Sequence, residues 1–161
     1  MGLDQYLYAK KYVSKTEWNQ PAENEMHDNI MSALDVPSLH NLTSETQDFT
    51  SLEVSVKVMQ WRKSNQIHGW FVSNVQNGED DCKEYYVGRE DLTQLLDLCK
   101  QVLADNTLAE DLLPNTSGFF FGTQEYDEWY VMDVKYTADT LERLLDDPAI
   151  ENWSFSYTSS W

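Results

Sequence analysis

Residues 52–76 read LEVSVKVMQWRKSNQIHGWFVSNVQ, and the hydrophobic period changes partway along them. Leu52, Val54, Val56 and Val58 alternate with Glu53, Ser55, Lys57 and Met59, the two-residue repeat of a strand with one face toward a core. From Arg62 to Gln76 the repeat becomes helical, with Ile67, Trp70, Phe71 and Val75 on one stripe. Asn77-Gly78 ends that helix, glycine being favoured just past a helix C-terminus. A strand that runs directly into an amphipathic helix predicts mixed α and β structure.

Upstream, Leu3, Gln5, Leu7, Ala9 and Val13 alternate with Tyr6, Tyr8, Lys10 and Tyr12, which predicts a first strand. Residues 14–50 are polar and irregular. Within them Met26, Ile30, Ala33 and Leu34 share a helical stripe that stops before Pro37, and 38–50 reads as a surface loop. The whole segment reads as an insertion between two paired strands. Downstream, Glu84–Val87 is a short strand. A helix opens at Arg89-Glu90-Asp91, its acids suited to a helix N-terminus, and carries Leu92, Leu95, Leu96, Cys99, Val102 and Leu103 on one face. Leu112-Leu113-Pro114 breaks the chain before the glycine-bracketed run Gly118-Phe119-Phe120-Phe121-Gly122. A last helix over 126–146 turns Tyr130, Val131, Val134, Ala138, Leu141 and Leu145 inward. Residues 152–161 close the chain as a strand with Trp153, Phe155, Tyr157 and Trp161 on one face.

These elements predict one α+β domain over residues 1–161. Its sheet is antiparallel or mixed, with three main helices packed on one face. The expected common core is Leu95, Leu96, Cys99, Val102, Ile67, Phe71, Val54, Val56 and Phe155.

Charge is the outlying property. The chain of 161 residues carries 28 acids against 11 Lys and Arg, a net of −17. Residues 79–161 hold nineteen of those acids and five of the bases, a net of −14. Such a field repels nucleic acid, polyphosphate and anionic membranes and attracts basic surfaces. Cys82 and Cys99 have neither CxxC nor zinc spacing and read as free thiols. The N-terminus lacks the basic and apolar regions of a signal peptide, and no apolar run approaches a membrane span. P-loop, dinucleotide, GxSxG and HExxH motifs are absent, as are basic nucleic-acid patches. No cofactor or metal is expected.

Four constellations could carry chemistry. His68 falls inside the apolar arc of its helix, where a histidine is more often a hydrogen-bonded core residue than a catalyst. Asn65 lies one turn away and could join it at the edge of a pocket. Arg62 falls about 120° round the same wheel, so it cannot simply converge with His68 on one ligand. Glu79, Asp80 and Asp81 form a carboxylate cluster without EF-hand spacing, which reads first as a solvated loop. Glu125, Asp127 and Glu128 crowd the start of the last helix, where its dipole suffices to explain them. Trp129, Met132 and Tyr136 make a second stripe on that helix, away from its main apolar face and flanked by Asp133. Either the Phe119–Phe121 segment covers this stripe or it is an exposed, acid-rimmed binding surface, and coverage is the plainer expectation.

Met1-Gly2-Leu3-Asp4-Gln5-Tyr6-Leu7-Tyr8, the run from Trp61 to Val72, Asp81-Cys82 with Tyr85-Tyr86-Val87, Leu112-Leu113-Pro114, the glycine-bracketed phenylalanines and Tyr126-Asp127-Glu128 together resemble a family of small acidic proteins of unknown activity encoded by bacteriophages and prophages. The resemblance spans the chain apart from residues 14–50, with Gly88 standing where a serine cap is expected. It implies a protein made in the cytoplasm of an infected bacterium, and it assigns no catalytic residue. Three functions remain open. The first is an acidic protein that binds a basic host surface, inhibiting a nucleic-acid-handling or defence complex through charge mimicry, without itself touching nucleic acid or membrane. The partner face would be Glu79, Asp80, Asp81, Glu125, Asp127, Glu128 and Asp133 with Trp129, Met132 and Tyr136. The second is a small enzyme or nucleotide-binding protein with a pocket near Asn65 and His68. The third is a phage protein whose acidic surface serves solubility alone.

Overall fold

The structure, a computed structural model, describes residues 2–35, 50–118 and 121–161. Its described elements are β1 (Asp4–Lys15), α1 (Pro21–Leu34), β2 (Thr50–Arg62), α2 (Asn65–Asn74), β3 (Tyr85–Val87), α3 (Arg89–Ala104), the one-turn α4 (Ala109–Leu112), α5 (Glu128–Asp146) and β4 (Ser154–Ser160). Single 3₁₀ turns precede α4 and β4. The strands form one antiparallel sheet in the order β2-β1-β4-β3, so the fold is α+β as the periodicity requires. The last strand of the chain is thus an inner strand. It pairs with β3 through Tyr85 opposite Tyr157 and Val87 opposite Phe155.

By its contacts the chain divides into two compact units. One comprises residues 1–9 and 56–161; the other comprises residues 10–55, the outer reaches of β1 and β2 with α1. The second unit corresponds closely to the insertion expected at 14–50. The loop expected over 38–50 falls outside the described residues apart from Thr50, which begins β2.

In the larger unit, α2, α3 and α5 bury their apolar stripes with the sheet in one cluster. Leu7, Ile67, Phe71, Leu92, Leu95, Cys99, Val134, Leu141 and Phe155 lie at its centre. The helix ends follow local chemistry. Gly88 opens α3, and the Asp91 carboxylate returns to the Gly88 N–H at 2.9 Å. Asp127 caps α5 by accepting from the N–H groups of Trp129 and Tyr130 at 3.0 and 3.1 Å. That cap moves the helix start to Glu128, two residues later than the sequence pattern suggests. Across the core, the Trp61 indole donates to Thr137 Oγ1 at 2.8 Å and pins α5 to β2.

Three readings of the sequence need correction. In β2 the inward residues are Met59 and Trp61, while Val56 is 44% exposed and Val54 only half-buried. The valines mark the sheet's other face; the odd-numbered positions meet the helices only at the strand's C-terminal end. Arg62 belongs to β2 and not to the helix. Lys63 adopts φ 60° and donates its N–H to Leu3 O at 2.7 Å, which prolongs sheet pairing and delays α2 until Asn65. In α1 the buried residues are His27 and Met31, whereas Met26 and Leu34 are exposed. The stripe is rotated by one position because Pro21 starts the helix earlier, and Glu23 closes its first turn by accepting from the Gln20 N–H at 3.2 Å. In that smaller unit Lys15 pairs with Asp28 at 2.7 Å and Lys10 with Glu53 at 3.4 Å. The Lys15 ammonium holds the Asp28 carboxyl below its usual range.

Candidate functional site

His68 sits on the inward face of α2 with no exposed surface. Its Nε2 lies 3.0 Å from Asp80 Oδ2, and its Nδ1 lies 2.8 Å from the Tyr157 hydroxyl. With Nε2 carrying the proton toward the carboxylate, Nδ1 accepts from the tyrosine. Beyond Tyr157 stands Gln5 Oε1 at 3.3 Å, so a polar line crosses from the loop after α2 to β4 and β1. Phe121 closes over the imidazole edge-on at 5.0 Å, and the Trp161 indole donates to the other Asp80 oxygen at 3.1 Å. Burial pushes the Tyr157 phenol well above its ordinary range, with the Asp80 charge adding to that. The imidazole therefore has both nitrogens engaged and no solvent face. This is the arrangement of a hydrogen-bonded core histidine, which fixes α2 to the inner strand.

Asn65 is equally committed. Its amide donates to the carbonyls of Phe121 and Thr123 at 3.2 and 2.8 Å and accepts from the Thr116 N–H at 2.9 Å. One side chain thus holds both ends of the 116–123 crossing against α2. Sequence spacing placed Asn65 beside His68 at a pocket edge; the structure instead gives them separate partners. Arg62 is exposed at the end of β2 and does not join them.

The acidic residues divide into two sets. Asp80 belongs to His68, and Asp81 pairs with Lys83 at 2.6 Å, the ammonium drawing its carboxyl below the usual range. Glu79 next to them is exposed. The other set gathers at the start of α5, where Glu125, Asp127, Trp129 and Asp133 line one small hollow with Lys63. Burial pushes the Asp133 carboxyl up; Ser64 and Gln66, which face it beyond hydrogen-bond geometry, offset part of that, and the Asp127 charge adds to it. Glu125 and Glu128 are exposed beside it.

The second stripe of α5 is uncovered. Trp129 is 63% exposed, Met132 56% and Tyr136 41%. Phe121, expected as a possible cover, turns to His68 and Trp161 instead. Tyr136 leans its ring edge on Trp61, which steadies one end of the row. Three large apolar side chains at i, i+3 and i+7, bordered by Glu125, Glu128 and Asp133, make an open, acid-edged face.

The sign of the Asp133 shift gives an expected result. Its folded pKa lies above the unfolded value, so folding favours the protonated form. Its stabilising contribution is present at low pH and is lost as pH rises through the folded pKa. Asp133→Asn should therefore unfold at a higher denaturant midpoint than the parent at pH 7, with the gap narrowing as pH falls through the carboxylate range. A gap independent of pH would contradict the assignment.

Both cysteines are free thiols, and burial pushes the Cys99 thiol up to about 12, which leaves it unreactive. Among the described residues no group of three or more His, Cys, Asp and Glu is placed to hold a metal ion. Nor is any described helix long and apolar enough to cross a membrane. Comparison with protein-family models, curated proteins and solved structures finds no match to this chain, so the α5 face and the His68 network are read from their own geometry.

Proposed function

We propose that this chain is an acidic binding protein whose α5 face docks on a basic protein surface built to handle nucleic acid. The observation that carries this reading is the exposed row Trp129, Met132 and Tyr136 set among unburied carboxylates. Large aromatic side chains supply the desolvated anchor of an interface, and rim charges supply orientation and encounter rate. The net of −14 over residues 79–161 selects a basic partner and disfavours a second copy of the chain, which would bring the same charge to the face. A Lys- and Arg-lined channel made for phosphates matches that charge, and occupying it would inhibit the machinery it serves. A phage or prophage source, and hence an infected bacterial cytoplasm as the setting, rests on the motif resemblance alone.

Glu79, Glu125 and Glu128 are the open carboxylates of this reading, because Asp80, Asp81 and Asp127 already have partners within the fold. Against a bound partner, Trp129→Ala should raise the dissociation rate by about tenfold or more, the loss of an interface anchor being worth 1–2 kcal/mol or above. Glu125→Gln with Glu128→Gln should slow association and flatten its salt dependence while leaving dissociation nearly unchanged. Surface plasmon resonance across a salt series separates the two effects. Unchanged kinetics in both variants would remove α5 as the docking face.

A further inference from the structure

We propose that the cavity between α2 and the 112–116 segment binds a small uncharged molecule through a carbonyl oxygen, of the amide or lactam kind. Gln66, Gly69, Trp70, Ser73 and Asn74 follow one another at the spacing of a single helix face, and all line it. Leu113, Pro114 and Thr116 form the opposite wall. The space is about 230 Å³, several times the roughly 30 Å³ that a water occupies in the liquid.

The chemistry of the lining selects the ligand. Trp70 is 6% exposed, and its indole N–H has no acceptor within the protein. The Trp61 and Trp161 indoles both find one, Thr137 Oγ1 at 2.8 Å and Asp80 Oδ1 at 3.1 Å. A buried donor left open beside a cavity calls for an acceptor from outside. No charged side chain lines the space, so neither an anion nor a cation would find a counter-charge there. The surrounding net of −17 adds repulsion for anions. Ser73 and Thr116 contribute hydroxyls, and the leucines give an apolar floor for the rest of a small ring.

The wall is built to stay in place. Asn65 Oδ1 holds the Thr116 N–H at 2.9 Å, and Gly69 lets the segment approach so closely that a Cβ there would lie 2.0 Å from Thr116 Oγ1. This cavity shares none of the residues of the exposed α5 row, so its occupancy is independent of partner docking.

The test is a titration of the full chain, labelled with ¹⁵N at its six tryptophans, with 2-pyrrolidinone. Cyclopentylamine and cyclopentanecarboxylate serve as charged comparators, and Trp70→Phe assigns the Trp70 indole resonance. A saturable shift of that resonance with the lactam, and none with the charged rings, is expected. In calorimetry Trp70→Phe, which keeps the ring stacking but loses the donor, should bind the lactam about three- to tenfold more weakly. The proposal is overturned if the Trp70 resonance does not respond saturably, in which case the cavity holds water only. It is equally overturned if the three probes act alike.

Discussion

Phe71→Ala is expected to lower the free energy of unfolding by about 3–5 kcal/mol. Phe71 has no exposed surface and lies at the meeting point of α2 with the inner strand. Its ring stacks on Tyr157 at 3.9 Å and 9°, and receives the edges of Trp70 at 5.1 Å and Trp61 at 6.0 Å. Truncation would remove the aromatic contacts and leave a void that three large rings cannot readily close. Phe71→Leu keeps most of the volume and should cost clearly less. Urea melts of the two variants make the comparison. A loss below about 1 kcal/mol for the alanine variant would show that the stack does not hold the sheet to the helices.

His68→Ala should be nearly as damaging, at about 3–5 kcal/mol. The loss combines a buried cavity with the removal of two hydrogen bonds, at 2.8 Å to Tyr157 and 3.0 Å to Asp80. The Tyr157 hydroxyl lies on a fully buried residue and would lose its short partner. Asp80 is a quarter exposed, so water can meet it, which limits its share of the cost. His68→Gln retains an amide able to reach one of the two partners and should lose less than the alanine variant. Partner binding by the folded fraction should be unchanged in both. A His68→Ala protein with parental stability and altered binding would instead make the histidine part of a ligand site.

How much of this was legible beforehand depends on which periodicities were clean. The alternation of Leu3, Gln5, Leu7, Ala9 and Val13 gave the buried face of β1 correctly, and the stripe Leu92, Leu95, Leu96, Cys99 and Val102 gave that of α3. Both elements keep one face against the core throughout. β2 misled because its most regular alternation, at Leu52, Val54, Val56 and Val58, lies where the strand leaves the main core. The two residues that decide its inward face, Met59 and Trp61, come after that pattern. α1 misled through a single-residue shift, since a short polar helix offers few apolar positions to set its phase.

The candidate site was legible only in part. A histidine in the apolar arc of α2 pointed to burial, and burial is what the structure has. Its partners were not foreseeable, because Asp80 lies in the next loop and Tyr157 lies 89 residues further on, brought near by the strand order alone. The exposed α5 row was visible as a second stripe, but whether Phe121 covered it depended on where the chain turned after Gly118. Phe121 follows Asn65, which holds its carbonyl at 3.2 Å, and so packs over His68.

The central claim is that the acid-edged α5 face binds a basic protein surface in place of nucleic acid. Its most direct measurement is paired affinity capture from bacterial lysate. The parent chain is compared with a variant carrying Glu125→Gln, Glu128→Gln and Trp129→Ala, at low and high salt, with and without excess duplex DNA. The account predicts a nucleic-acid-handling protein that the parent retains at low salt, that salt or DNA releases, and that the variant fails to retain. Recovery of the same proteins by both chains, or retention by the parent that DNA cannot displace, would contradict it.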